Sequence, residues 1–158
     1  AEAIARLPRE LALRFEFRGP VNSAREWALL QETKKIIGSD DRVQFAPAVM
    51  NAEVPAVLAS YDVLCCPSVC LEGGPTVAIE AHGVGTPVIG SRIGGLAELV
   101  TDGVNGRLTP PGDVVTLAGV LREIAADPVG TVDIWRRSLP RARTMDDIAA
   151  DYLALYRV

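Results

Sequence analysis

The chain has 158 residues, 49% of them hydrophobic, with a formal net charge of −4 and no basic run. That is about one domain, with enough apolar content for a sizeable core, and it excludes the clustered Lys and Arg of a nucleic-acid footprint. No apolar stretch approaches the roughly 20 residues of a membrane helix, and no segment has the pattern of a signal peptide.

Residues 1–11 read as the back half of an amphipathic helix without a Met, a cap or a preceding strand, as expected of a piece of a longer protein. Residues 13–19 alternate apolar and charged side chains up to Gly19-Pro20, a strand and a turn. Residues 23–37 have helical spacing, with Trp27, Leu30 and Ile37 as expected buried positions and Gly38 as the stop. Residues 42–48 form a second strand, and residues 53–60 a short helix opened by Val54-Pro55. Residues 62–68 are continuously apolar, which predicts a central strand buried on both faces. A helix over 75–83, a buried strand over 87–91, a short helix over 95–100, a turn over 102–106 and a short strand from Arg107 follow. Residues 113–126 form a helix with Val114, Leu117, Val120, Leu121 and Ile124 on one face, ended by Asp127-Pro128. The tail, 144–158, is a further amphipathic helix.

Strands alternating with helices predict an α/β fold, a Rossmann-like parallel sheet flanked by helices, in one domain over 1–158. In such sheets ligands bind beyond the carboxyl ends of the strands. Residues 68–76 and 91–95 lie at such ends. The three cysteines, Cys65, Cys66 and Cys70, have no metal-ligand spacing, and with His82 as the one histidine they read as apolar filler in a reducing compartment. No metal is expected.

The chemistry concentrates between Glu72 and Glu80. Gly73-Gly74-Pro75-Thr76 opens a helix: the terminus offers unpaired N–H groups and a positive dipole end, Pro suits its first turn, and the glycines let an anion approach. The same residues also suit a plain strand-to-helix turn. Glu80 stands among Val77, Ala78, Ile79 and Ala81. A helix so apolar is expected to be largely buried, and a buried unpaired carboxylate is costly, so Glu80 should face a partner or a cavity. Four residues after Thr76 and on its face, it is placed to accept hydrogen bonds from ribose hydroxyls; a surface Glu or one paired with a core Arg fits the pattern as well. Glu72 precedes the terminus, where the dipole favours an acid and a sugar-hydroxyl acceptor is equally at home. His82 is either a satisfied core histidine or a hydrogen-bonding group for substrate.

In this order the segments resemble retaining family-4 glycosyltransferases of the GT-B fold. The carriers are Glu72 to Glu80, Gly85-Thr86-Pro87-Val88, Gly94-Gly95-Leu96-Ala97-Glu98, Asp102-Gly103-Val104-Asn105-Gly106, and the strand from Tyr61-Asp62 to Pro67-Ser68; the likeness covers about residues 13–127. It implies the C-terminal, donor-binding half of a two-domain enzyme that transfers a hexose from a nucleoside-diphosphate sugar, UDP- or GDP-linked, to an acceptor with retention and without a bound metal. By the resemblance Glu72 contacts the donor sugar as the catalytic residue, Gly73, Gly74, Pro75 and Thr76 hold the sugar and diphosphate, and Glu80 binds the ribose. The family's Arg and Lys that stabilise the leaving diphosphate are expected upstream of Ala1, and Arg18 and Arg92 are the nearest cations to replace them. Gly73-Gly74-Pro75 departs from the commoner Pro-Phe-Gly, and His82 stands where Met is usual. The resemblance further implies a cytoplasmic protein, with the inner face of the membrane as a second location, an acceptor domain outside these residues, and no turnover by this chain alone. The other readings are a nucleotide-sugar epimerase of GT-B type, told apart by its product, and a non-catalytic α/β binding module.

Overall fold

Alternation of Phe15 and Phe17 with Glu16 and Arg18 makes β1 (Phe15–Arg18), which pairs in parallel with β2 (Val43–Ala46). The rings of Phe17 and Phe45 stack across that pair, with centroids 5.2 Å apart. A second parallel sheet has the order β3 (Leu64–Cys66), β4 (Val88–Ser91), β5 (Gly106–Thr109). This computed structural model describes residues 1–71 and 73–156.

Helices separate the strands: α1 (Glu2–Ala5), α2 (Ala24–Ile37), α3 (Val54–Ala59), α4 (Thr76–Gly83), α5 (Gly94–Leu99), α6 (Val114–Ala126), α7 (Pro128–Arg137) and α8 (Met145–Leu155). Their ends follow local chemistry. Ser23 accepts from Glu26 N–H while the Glu26 carboxylate accepts from Ser23 N–H, and α2 stops at Gly38 with φ 62°. Asp113 caps α6 by accepting from the Val115 and Thr116 amides.

Successive side chains of β4 enter different cores. Ile89 packs with Leu7, Leu121, Ile124 and Trp135, whereas Val88 packs with Leu58, Ala81, Leu96 and Leu108. That is the pattern of a strand with helices on both faces, and all four β4 residues are buried. At the start of β2 a buried pair adds a polar anchor. Arg42 donates to both carboxylate oxygens of Asp40 at 2.9 and 2.7 Å and to the Pro8 carbonyl at 2.7 Å. The guanidinium holds the Asp40 carboxyl down to about 2.

Four expectations are corrected. The strands are parallel throughout but fall into two sheets rather than one. β3 is three residues long and half-buried rather than covered on both faces, because it pairs on one edge only. Trp27 is 57% exposed, since α2 packs mainly on the short α1 and its front half has little to lie against. Cys65 and Cys70 are exposed and so are not core filler, whereas the half-buried Cys66 packs against the core that holds Val88 and Leu96.

Candidate functional site

The loops after β3 and β4 lie at strand carboxyl ends and touch each other. A Cβ built on Gly95 would stand 2.7 Å from the Gly73 carbonyl oxygen and 2.9 Å from Pro75 Cδ. Only a residue without a side chain lets the two turns approach this closely. Gly94, at φ 52°, supplies the left-handed backbone that starts α5 there. No Cβ on Gly73 or Gly74 would meet an atom within 4 Å, so that stretch is open on its outer side.

Directly beyond this contact α4 begins without a side-chain cap. Pro75 is buried and its carbonyl accepts from Ala78 and Ile79 N–H, at 2.9 and 3.1 Å. Thr76 is exposed at the uncapped terminus, where the peptide dipoles leave partial positive charge. Glu80 is exposed one turn further on, and its carboxylate has no hydrogen bond or ion pair among the described residues. The helix is not largely buried, as its apolar sequence suggested: Ala78, Ala81 and His82 are covered, but Val77 and Ile79 are 41% and 53% exposed. Glu80 therefore carries no burial penalty of its own. Glu72 lies outside the described residues.

His82 departs from expectation in the other direction. It is buried, yet neither ring nitrogen has a partner among the described residues, and burial pushes its pKa below the ordinary value. Arg18 and Arg92, the cations expected to replace the family's upstream pair, are already engaged. Arg18 bonds Glu16 at 2.5 Å and the Pro47 carbonyl at 2.9 Å, while Arg92 bonds Asp102 at 2.6 Å.

Other recognisable segments serve the framework. Thr86 donates to the Leu58 carbonyl at 2.8 Å from a buried position. Asp102 accepts from Leu108 N–H, and Asn105 from Thr101 N–H, which holds the turn that starts β5. No group of three His, Cys, Asp or Glu placed to hold a metal occurs among the described residues. Crevices of about 380 and 290 Å³ have no α4 residue in their lining; the first lies beside α8, and the second, beside α1, α2 and α6, reaches Pro67 and Ser91 at the carboxyl ends of β3 and β4. The candidate site is thus an open ledge of two glycine turns and a helix end. The Gly73–Gly95 contact had a signal in the sequence, a Gly-Gly pair in the loop that follows each of two neighbouring strands.

Fold and site together define a Rossmann-like α/β domain whose structural neighbours are GT-B glycosyltransferases. Anabaena HepE in complex with UDP superposes with TM-score 0.78 at 27% identity, over 96% of this chain and 43% of that one. HepE in complex with UDP-glucose gives 0.77 at 25%, over the same shares. A glycosyltransferase from Rickettsia africae shares the fold with TM-score 0.78 at 17% identity, over 99% of this chain and 42% of its own. The chain belongs to the group 1 glycosyl transferases, whose family profile matches residues 1–127. The MMP alpha-(1->4)-mannosyltransferase of Mycolicibacterium hassiacum is 36% identical over 133 residues, 78% of this chain and 32% of the relative. The chain thus spans about a third of that relative's length.

Proposed function

We propose that this chain is the donor-binding, C-terminal half of a retaining glycosyltransferase that moves a hexose from a nucleoside-diphosphate sugar to an acceptor. The observation that carries the reading is the ledge itself, where Gly73 to Pro75 is packed under Gly95 at the uncapped start of α4 and Glu80 stands exposed one turn on. The diphosphate sits against the free N–H groups of the Gly73–Thr76 turn and the helix dipole. The Glu80 carboxylate accepts from the ribose hydroxyls, and Glu72 from a hydroxyl of the sugar. As the bond from the anomeric carbon to the diphosphate oxygen breaks, the helix end stabilises the growing negative charge, and the acceptor oxygen joins on the face the diphosphate leaves, its hydroxyl proton passing to the departing diphosphate oxygen. This charge neutralisation requires no metal, but it does call for cations from outside these residues, because Arg18 and Arg92 are committed elsewhere. The HepE complexes with UDP and UDP-glucose support a uridine donor as the first to test.

The test is a titration of UDP, UDP-glucose, GDP and GDP-mannose into the chain, followed by the amide resonances of Gly73, Gly74, Thr76 and Glu80. One nucleotide is expected to shift these four before any other group. Binding that leaves them unmoved, or no binding by a folded longer form of the protein, rejects the reading.

A further inference from the structure

Asn105-Gly106 is the one Asn-Gly pair in the sequence. In a flexible chain such a pair modifies itself. The main-chain nitrogen of the glycine, unhindered because its residue has no Cβ, attacks the side-chain carbonyl carbon of the asparagine. The new N–C bond closes a five-membered imide. The C–N bond of the carboxamide breaks, and ammonia leaves with the proton that the glycine nitrogen gives up. Water then opens the ring at either carbonyl. The product is aspartate, or its isomer in which the main chain runs through the side-chain carbons.

The fold holds the two reacting groups in other bonds. Asn105 is 4% exposed. Its side-chain oxygen accepts from Thr101 N–H at 2.7 Å, and its side-chain amide donates to the Leu99 carbonyl at 3.4 Å. Both bonds draw the carboxamide back toward the end of α5. Gly106 opens β5 opposite Val88, and its carbonyl accepts from Gly103 N–H at 2.8 Å. Ring closure requires the carboxamide to leave both partners and swing onto the glycine nitrogen, so the turn must open first. The structure also requires both residues. A Cβ on Gly106 would stand 2.1 Å from the Val88 carbonyl oxygen, and the Asn105 side chain supplies a donor and an acceptor at once. The geometry that demands this reactive pair is also what keeps it from reacting.

We propose that Asn105-Gly106 is a self-modification site gated by the fold, inert in the folded chain and converted once unfolding frees the turn. The conversion makes unfolding irreversible. Aspartate places a carboxylate oxygen against the Leu99 carbonyl where the amide donor stood. The isomer adds a main-chain atom just where β5 must register with Val88. Either product loosens the end of α5, the helix whose first residues, Gly94 and Gly95, form one side of the ledge. Chains that stay unfolded long enough to convert are thereby withdrawn from the folded pool. The inference rests on main-chain chemistry and is tested without nucleotide.

Peptide mass spectrometry decides it, on the 158-residue chain kept in mildly alkaline buffer with and without unfolding urea. The other two asparagines, Asn22 and Asn51, are exposed and serve as internal references. In urea Asn105 should convert ahead of both. In buffer its rate should fall by roughly a hundredfold or more, as for a reaction that proceeds only through the open form, and Asn105 should no longer lead. Chains diluted from urea at once should refold, whereas chains left to convert should not regain the starting melting temperature. Three results overturn the proposal: equal rates with and without urea, Asn105 still first to convert in buffer, or converted chains that refold and melt like the starting material.

Discussion

Glu80 and His82 share a helix and sit in opposite circumstances. Glu80 is exposed and unpaired, so removing its carboxylate costs the fold little. Glu80→Ala should therefore leave the melting temperature unchanged and weaken nucleotide binding by about 1–3 kcal/mol, the scale of hydrogen bonds to a charged group. Calorimetric titration with UDP measures this, and an unchanged affinity returns Glu80 to the role of a surface acid. His82 is buried with both nitrogens unsatisfied, and its pKa lies below 6.5 in the fold. Below that pH the unfolded chain binds more protons than the folded one, so stability is full above about pH 6.5 and falls as pH drops. His82→Leu should remove this part of the slope and raise stability by about 1 kcal/mol by deleting two unpaired buried groups. Urea unfolding at about pH 7.5 and about pH 5.5 tests it. A variant that keeps the whole pH dependence shows that His82 finds a partner in solution.

At the scale of elements, two glycine turns meet across the ends of β3 and β4. Gly95→Ala places a methyl group 2.7 Å from the Gly73 carbonyl, so one turn must move. The expected cost is about 1–3 kcal/mol in stability, with a larger relative loss of nucleotide affinity because the Gly73–Thr76 turn is displaced. Full affinity in a destabilised variant would separate the contact from the site. The ledge was legible where its signals are local: the glycines, Pro75 in the first turn, and Glu80 four residues after Thr76. So were α2 and α6, whose Ser23 and Asp113 caps fall where the sequence puts them. The α7 helix was missed because Asp127-Pro128 reads as a stop. The same pair starts a helix, with the Asp127 carboxylate accepting from Gly130 N–H at 2.8 Å and Pro128 at the first position. Burial of Trp27 and of β3 was misjudged because it depends on neighbours far along the chain, and no local pattern encodes which edges of a sheet stay open.

In the molecule as a whole, the two hydrophobic clusters meet on β4, and their buried members lie between Ala3 and Trp135. α8 adds none: it has no buried residue, and Met145, Tyr152 and Leu153 are exposed. The Arg143–Asp151 and Arg141–Asp147 ion pairs on it are surface pairs, each worth at most about 1 kcal/mol. An isolated helix of this length is marginal in water. A chain ending at Leu139 should therefore unfold within about 3 °C of the intact one and bind nucleotide equally well, because no α8 residue is buried and no residue of the ledge lines the crevice beside α8. In the intact chain, the amides of α8 should exchange almost as fast as unfolded peptide. A fall in melting temperature well beyond that margin would mean that the apolar side chains of α8 are covered in solution. The helix would then count as part of the domain rather than an appendage to it.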